Sequence, residues 1–532
     1  MTRAIKAYLL LSLLGCLSAP AHIGSPNVFL EDKAGDYPVR VVIRPPNVVP
    51  GLAEITVRVQ SPVQRVTVLP VFWNAGRKGS PPADEATLVR GETNLYSAQL
   101  WLMKPGAYSV DVTVEGPRGK GTLIVPVNAI ATNTRPMSVP HVVILSMLAT
   151  ILFLSGLIIA GAIFGEARVE PGAAPTPKDR SRTRVAMGGA ALVLLGLLVG
   201  GRIWWNRDDR SYRNNALYKP IPVTAEVRTE KDQPILTLKV DTSARRGRWT
   251  PLIPDHGKVM HLFLVRDAKP AAFAHLHPAR HDTSFETALP PLPAGQYQVY
   301  ADVTHEDGFS ETLTGSVEIP SPSLEMKKLW LGNSGEPICT AEVAQTLAAK
   351  LAFPPDPDDS WQMDNGPVVP ASSGPGPTAT QAAEAGGGYK IIWQNPRAAR
   401  ESLDESLRFT LLTPDNQPAP VEPYMGMSGH AVVRRDDGSV FAHIHPVGTF
   451  SMAAQQFFVV GKPLKNSGAQ TESSPSSEIP IHNSHTNQAG IVGEVSFPYA
   501  FPSSGPYRLW VQMKTQGRIL TAAFDTAVTT TR

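Results

Sequence analysis

A turn glycine followed two residues later by tyrosine, and then by period-two alternation, occurs three times along the chain. The copies are Gly106-x-Tyr108 with Val110, Val112 and Val114, Gly295-x-Tyr297 with Val299, Ala301 and Val303, and Gly505-x-Tyr507 with Leu509, Val511 and Met513. Period-two alternation marks a strand with one buried face, and a glycine just ahead supplies the turn that starts it. In a β-sandwich such a tyrosine begins a late strand, where its ring packs and its hydroxyl can bond nearby backbone. Three copies therefore predict a mainly β chain with three immunoglobulin-like β-sandwich domains. The 50 prolines and 43 glycines among 532 residues agree, since both favour short strands over long helices.

Apolar runs set the expected topology. Arg3 and Lys6, an apolar stretch and Ala19-Pro20-Ala21 have the anatomy of a signal peptide over residues 1–21, which would leave His22 at the mature start. A lipobox at Leu13-Leu14-Gly15-Cys16 stays open as an alternative. Without Cys16 only Cys339 remains, so no intramolecular disulfide framework is expected. An uncharged run predicts a transmembrane helix over 141–164. A shorter run, ending at Trp204 and Trp205 where an interfacial belt would lie, predicts a second over 185–205, with a buried helix as its alternative. The loop between them, 165–184, carries Arg168, Lys178, Arg180, Arg182 and Arg184 and is assigned to the cytoplasm. Two crossings return the chain outside, which puts exported sandwiches at 22–135, 218–320 and 389–528. Residues 325–388 read as a helix, over 340–351, and a Pro/Gly-rich linker. A Ser-rich insertion in the last domain holds His482 and His485. The expected location is the inner (cytoplasmic) membrane, with large periplasmic domains. A net charge of +3 and no basic stripe argue against nucleic acid as a partner.

Chemistry is concentrated in a second repeat. Phe-Ala-His-x-His-Pro occurs at His275/His277 and again at His443/His445, with His261 and His430 lying 14 and 13 residues upstream. Alternation puts both histidines of a pair on one strand face, and the offset suits a hairpin that brings in the third imidazole. Three neutral imidazoles suit copper, with zinc the alternative, and copper leads on intrinsic affinity. Aligning the copies sets His256 opposite Met425. Met427 then makes the second set methionine-rich, whereas His281 and His305 make the first imidazole-rich. The expectation is one Cu(II)-leaning and one Cu(I)-leaning site on separate domains, acting as a graded relay. His22 adds a chelating α-amine and imidazole if it is the mature N-terminus. The competing reading is a structural or protein-interaction envelope protein whose strand-end histidines satisfy hydrogen bonds without metal. A metal-dependent enzyme is the third reading. No nucleophile elbow, phosphate loop or general base supports it, and the chain is read as non-enzymatic.

The turn-tyrosine unit, together with the upstream histidine and H-x-H-P pattern, resembles exported β-sandwich domains of the YtkA-like and FixH-like families. These are associated with copper handling and oxidase assembly. His22 resembles the mature N-terminal histidine of CopC-like carriers, whose later histidine has no match here. The resemblance implies a metal-binding or assembly role, carried by His261, His275, His277, His430, His443 and His445. The implied partners are a metal ion, the membrane and another envelope protein.

Overall fold

The computed structural model describes residues 22–23, 27–134, 137–165, 167, 169–170, 172–230, 233–241, 249–268, 271–281, 284–331, 355–364, 381–394, 399–460 and 493–530. The expected signal peptide, the 340–351 helix, Cys339, His482 and His485 lie outside them. The chain divides into two compact units, residues 131–218 and residues 1–130 with 219–532.

The smaller unit holds the helices Val139–Phe164 and Pro177–Asn215, with mean hydropathies of 2.7 and 1.8 over their most apolar windows. Both are long and apolar enough to cross a membrane by length and composition. The second begins earlier than the hydropathy pattern implies, because Thr176 and Asp179 form a capping box ahead of the apolar run. Lys178, Arg180, Arg182 and Arg184, expected in a loop, are therefore helical. Gly161 faces Met187 and Gly156 faces Leu194, so small residues let the two helices approach.

The larger unit is mainly β, and its described residues form six sheets in three pairs. The first lobe pairs a five-stranded sheet around Tyr37–Arg44 and Gly51–Val59 with a four-stranded sheet around Gly106–Gly116. In the second lobe a four-stranded sheet containing Gln233–Val240 shares one buried core with a six-stranded sheet. That larger sheet contains His261–Arg266, Ala271–Leu276 and Gly295–His305. The third lobe repeats the scheme, its five-stranded sheet containing His430–Arg435, Val440–Ile444 and Gly505–Thr515. Residues read as linker take part as well, since Ser360–Asp364 is a strand paired along Ala271–Leu276. The repeated tyrosines share one device. The Tyr297 hydroxyl donates to the Pro293 carbonyl and the Tyr507 hydroxyl to the Ser503 carbonyl, each at 2.8 Å, and the Tyr108 oxygen accepts from the Lys104 N–H at 3.0 Å. The glycines ahead of them have φ of 137°, 135° and 133°, a region only glycine enters at low cost.

Alternation along His261–Arg266 explains what meets what. Leu262 and Leu264 enter their own lobe's core, so Phe263 and Val265 project from the opposite face. That face is covered by the third lobe. Phe263, Val265, Phe273 and Tyr300 form one buried cluster with Val432, Phe441 and Trp510. Tyr300 stacks on Phe441 with centroids 4.0 Å apart, and Phe273 stacks on Trp510 at 4.8 Å. Aligning the copies makes Tyr300 equivalent to Trp510 and Phe273 to Phe441, so the two stacks are reciprocal. The first lobe docks on the loop that follows His445. There the Glu31 N–H donates to the Val447 carbonyl at 3.0 Å and the Phe29 N–H to the Thr449 hydroxyl at 3.2 Å.

Candidate metal centre

His261 and His275 lie on the same strand face as Phe263 and Phe273, at the end of the interlobe apolar cluster, and His430 and His443 do so in the third lobe. The ligand atoms of His261, His275 and His277 all lie within 4.8 Å of one another, and those of His430, His443 and His445 do likewise. Five of these six residues are buried and His443 is partly exposed. Burial, reinforced by neighbouring imidazoles, holds His261, His275, His430 and His445 well below the usual histidine range. These rings are therefore neutral at pH 7, the form that ligates a metal.

The hydrogen-bond partners behind the rings favour one tautomer for each. His261 Nε2 lies 3.2 Å from the Asp255 carbonyl and His275 Nδ1 lies 2.9 Å from Gln512 Oε1. The Gln512 amide nitrogen is engaged as donor by the Ser360 and Thr521 hydroxyls, which leaves its oxygen to accept. Both of these partners accept, so the ring protons sit there and the lone pairs sit on His261 Nδ1 and His275 Nε2. Those two nitrogens are 3.1 Å apart. The third lobe repeats this. His430 Nε2 faces the Tyr424 carbonyl at 3.1 Å, His443 Nδ1 faces Asp302 Oδ2 at 3.4 Å, and the remaining nitrogens, His430 Nδ1 and His443 Nε2, are again 3.1 Å apart. Lone pair against lone pair at that distance is repulsive, and either a proton shared between the two rings or a metal ion before both relieves it. Two metal–nitrogen bonds of about 2.0–2.1 Å meeting at about 100° span the same separation.

The other imidazoles fit this scheme. His277 Nδ1 is 3.0 Å from Asp359 Oδ1, which also accepts the His277 backbone N–H at 2.8 Å. His277 Nε2, His256 Nε2 and both ring nitrogens of His445 are buried without a hydrogen-bond partner. Each such atom costs about 1–3 kcal/mol if it stays unmatched. A third close group, His277 with Asp356 and Asp359, is also compact enough to hold an ion. Its carboxylates already have protein partners, because Asp356 pairs with Lys258 at 2.6 Å and Asp359 holds His277. We read this group as the device that orients His277, a carboxylate–imidazole arrangement typical of metal ligands. Burial pushes the Asp359 carboxyl up, against the hydrogen bonds from His277.

The two triads stand on different lobes, the second and the third, and the packing of those lobes brings them into contact. His261 and His443 have centroids 5.3 Å apart, and His275 lies 5.5 Å from His443 and 6.2 Å from His430. The sequence pattern shows which residues share a face but not that the two faces meet. His256 and Met425 do occupy equivalent turns, with φ of 51° and 49° and a following glycine at 80° in each. His256 reaches across to the third lobe, 4.9 Å from His445 and 5.6 Å from His430. Met425 packs against the core of the second lobe, and Met427 is buried with its carbonyl accepting from the Tyr424 N–H. His305 is engaged elsewhere, with Glu311 at 2.8 Å, and His281 is exposed. The His22 backbone pairs with Val440 in the sheet that carries His443, while its side chain lies outside the described residues. Sequence reasoning missed Asp359, Asp302 and Gln512. Asp302 and Gln512 each stand five residues after the repeated tyrosine, a shared position that could have singled them out.

The family model described as Domain of unknown function (DUF8832) matches residues 221–320 and 382–530, which hold both triads. No curated relative matches the chain. Among solved structures, dimeric latent PorU from Porphyromonas gingivalis is 9% identical with a TM-score of 0.13, over 95% of this chain and 34% of that one. The endo-fucoidan hydrolase MfFcnA4 from glycoside hydrolase family 107 is 8% identical with a TM-score of 0.14, over 92% of this chain and 43% of that one. The BSP domain of a biofilm associated protein is 6% identical with a TM-score of 0.12, over 95% and 82%. The chain thus spans about a third of the PorU chain and less than half of the hydrolase. Likenesses at these scores carry no argument about fold or function.

Proposed function

We propose that this protein is a membrane-anchored, exported copper-binding protein that transfers, stores or senses the ion by binding rather than by turnover. The observation that carries the metal is the paired ring nitrogens, His261 Nδ1 with His275 Nε2 and His430 Nδ1 with His443 Nε2, each pair 3.1 Å apart and each ring with an oxygen behind its other nitrogen. The preference for copper rests on the imidazole donor set and the divalent affinity series, with zinc as competitor. The anchor rests on the two helices, and three sandwich domains of the YtkA-like or FixH-like kind are the architecture that the three pairs of sheets support.

The test is metal analysis of the full-length protein purified in detergent, stripped with chelator and reloaded with copper. The double variants His275→Ala/His277→Ala and His443→Ala/His445→Ala should each retain less copper than the parent. Equal copper in all three proteins would reject these histidines as the ligands, and no copper in any of them would leave the reading of a structural envelope protein without metal.

A further inference from the structure

The geometry points to one two-metal centre built jointly by the second and third lobes, in place of two independent sites. This rests on the metal-binding reading above and adds to it the number of ions and their coupling. Three observations carry it.

One histidine in each triad has its acceptor supplied by the opposite lobe. His275 belongs to the second lobe but is held by Gln512 of the third, and His443 belongs to the third but faces Asp302 of the second. Asp302 and Gln512 are the register partners of His261 and His430, so each lies on the strand beside its own lobe's upstream histidine. Neither triad has its lone pairs fully directed without the other lobe.

The rings of the two triads are in contact. Centroid separations across the lobes, 5.3 Å for His261–His443 and 5.5 Å for His275–His443, match those within a triad, 5.4 Å for His261–His275 and 5.3 Å for His430–His443. An ion in one set therefore neighbours an ion in the other, with no intervening protein layer.

A seventh imidazole crosses the boundary. His256 comes from the second lobe, yet it packs on His430 and His445, and its buried Nε2 has no hydrogen-bond partner, with Asp255 Oδ1 3.7 Å away. It is available as an additional nitrogen donor to the third-lobe ion, and no equivalent residue is available to the other, because position 425 is methionine. The acceptors are placed asymmetrically as well. The carboxylate of the third-lobe triad, Asp302, stands behind His443, whereas in the second-lobe triad Gln512 places a neutral amide behind His275 and the carboxylate, Asp359, stands behind His277.

The experiment uses the full-length chain loaded with Cu(II), with Cu(I) excluded by a chromogenic Cu(I) chelator. Copper per chain is measured together with the electron paramagnetic resonance spectrum. The inference expects two coppers per chain, with integrated spin well below the copper count or a half-field transition from a coupled pair. Two coppers with full spin and no half-field signal would overturn the joint centre while leaving the binding function intact. A single copper per chain would do the same. No copper at all would overturn the function on which it rests. Because alanine at a buried histidine can unfold the lobe, a second variant is Asp302→Leu, at a partly exposed position in the second lobe. It should weaken copper binding at the third-lobe triad by about 10–100-fold. Unchanged affinity there would overturn the cross-lobe dependence.

Discussion

At the scale of single residues, the site depends on acceptors as much as on ligands. A neutral imidazole has one proton and one lone pair, and a carbonyl, amide oxygen or carboxylate behind the ring decides which nitrogen is left to bind. Asp359 does this for His277 and also caps the His277 backbone N–H. Replacing it should therefore act on two quantities. Asp359→Ala is expected to lower metal affinity about 10–100-fold and folding stability by about 1–3 kcal/mol. Asp359→Asn, which keeps an acceptor oxygen, should restore most of both. Chelator competition and urea denaturation read the two effects, and an alanine variant with parental affinity would remove Asp359 from the site. The histidines themselves were legible because their spacing is local. His275 and His277 share a face by strand geometry, and His261 reaches them through a hairpin. Asp359 was not legible, because it sits in a Pro/Asp-rich stretch with no periodicity to place it.

At the scale of elements, the loop after each H-x-H-P motif shows how the ligand strands are held. In the third lobe His445 and Gly448 bond each other's backbone, and Gly448, at φ 154°, passes so close to Phe29 that a Cβ would overlap the Phe29 carbonyl. Only glycine fits there, for its backbone angle and for the space. Gly448→Ala should destabilise the protein by about 1–3 kcal/mol and release the first lobe from the third, seen as faster proteolysis between them. Parental stability and proteolysis would show that the first lobe docks by other contacts. Element types were largely readable from sequence, because period-two alternation and turn glycines are local signals. The start of the second long helix was not, since hydropathy reports the apolar span whereas the Thr176 cap sets the boundary.

At the scale of the whole molecule, the second and third lobes meet through the outer faces of their larger sheets, and that packing brings the triads together. Trp510 stacks on Phe273 in this interface and is buried. Trp510→Ala should cost about 3–5 kcal/mol, and it should lower copper retention although Trp510 is not a ligand. Thermal unfolding and metal analysis measure the two effects, and full copper retention in a destabilised variant would separate the interface from the site. Sequence alone could not reveal this arrangement, because a strand with both faces apolar does not say which partner covers the second face.

Tyr300 meeting Phe441 while Trp510 meets Phe273 is the contact pattern of a two-fold homodimer, in which each surface is its own partner. Here both protomer-like halves lie on one polypeptide. Tethering turns a concentration-dependent association into an intramolecular one, with an effective concentration on the order of millimolar. The paired triads would then assemble equally well at any dilution. Fusion also frees each half to change alone, so Asp302 can be acidic where its mate Gln512 is neutral, a difference that a homodimer encoded by one sequence could never hold.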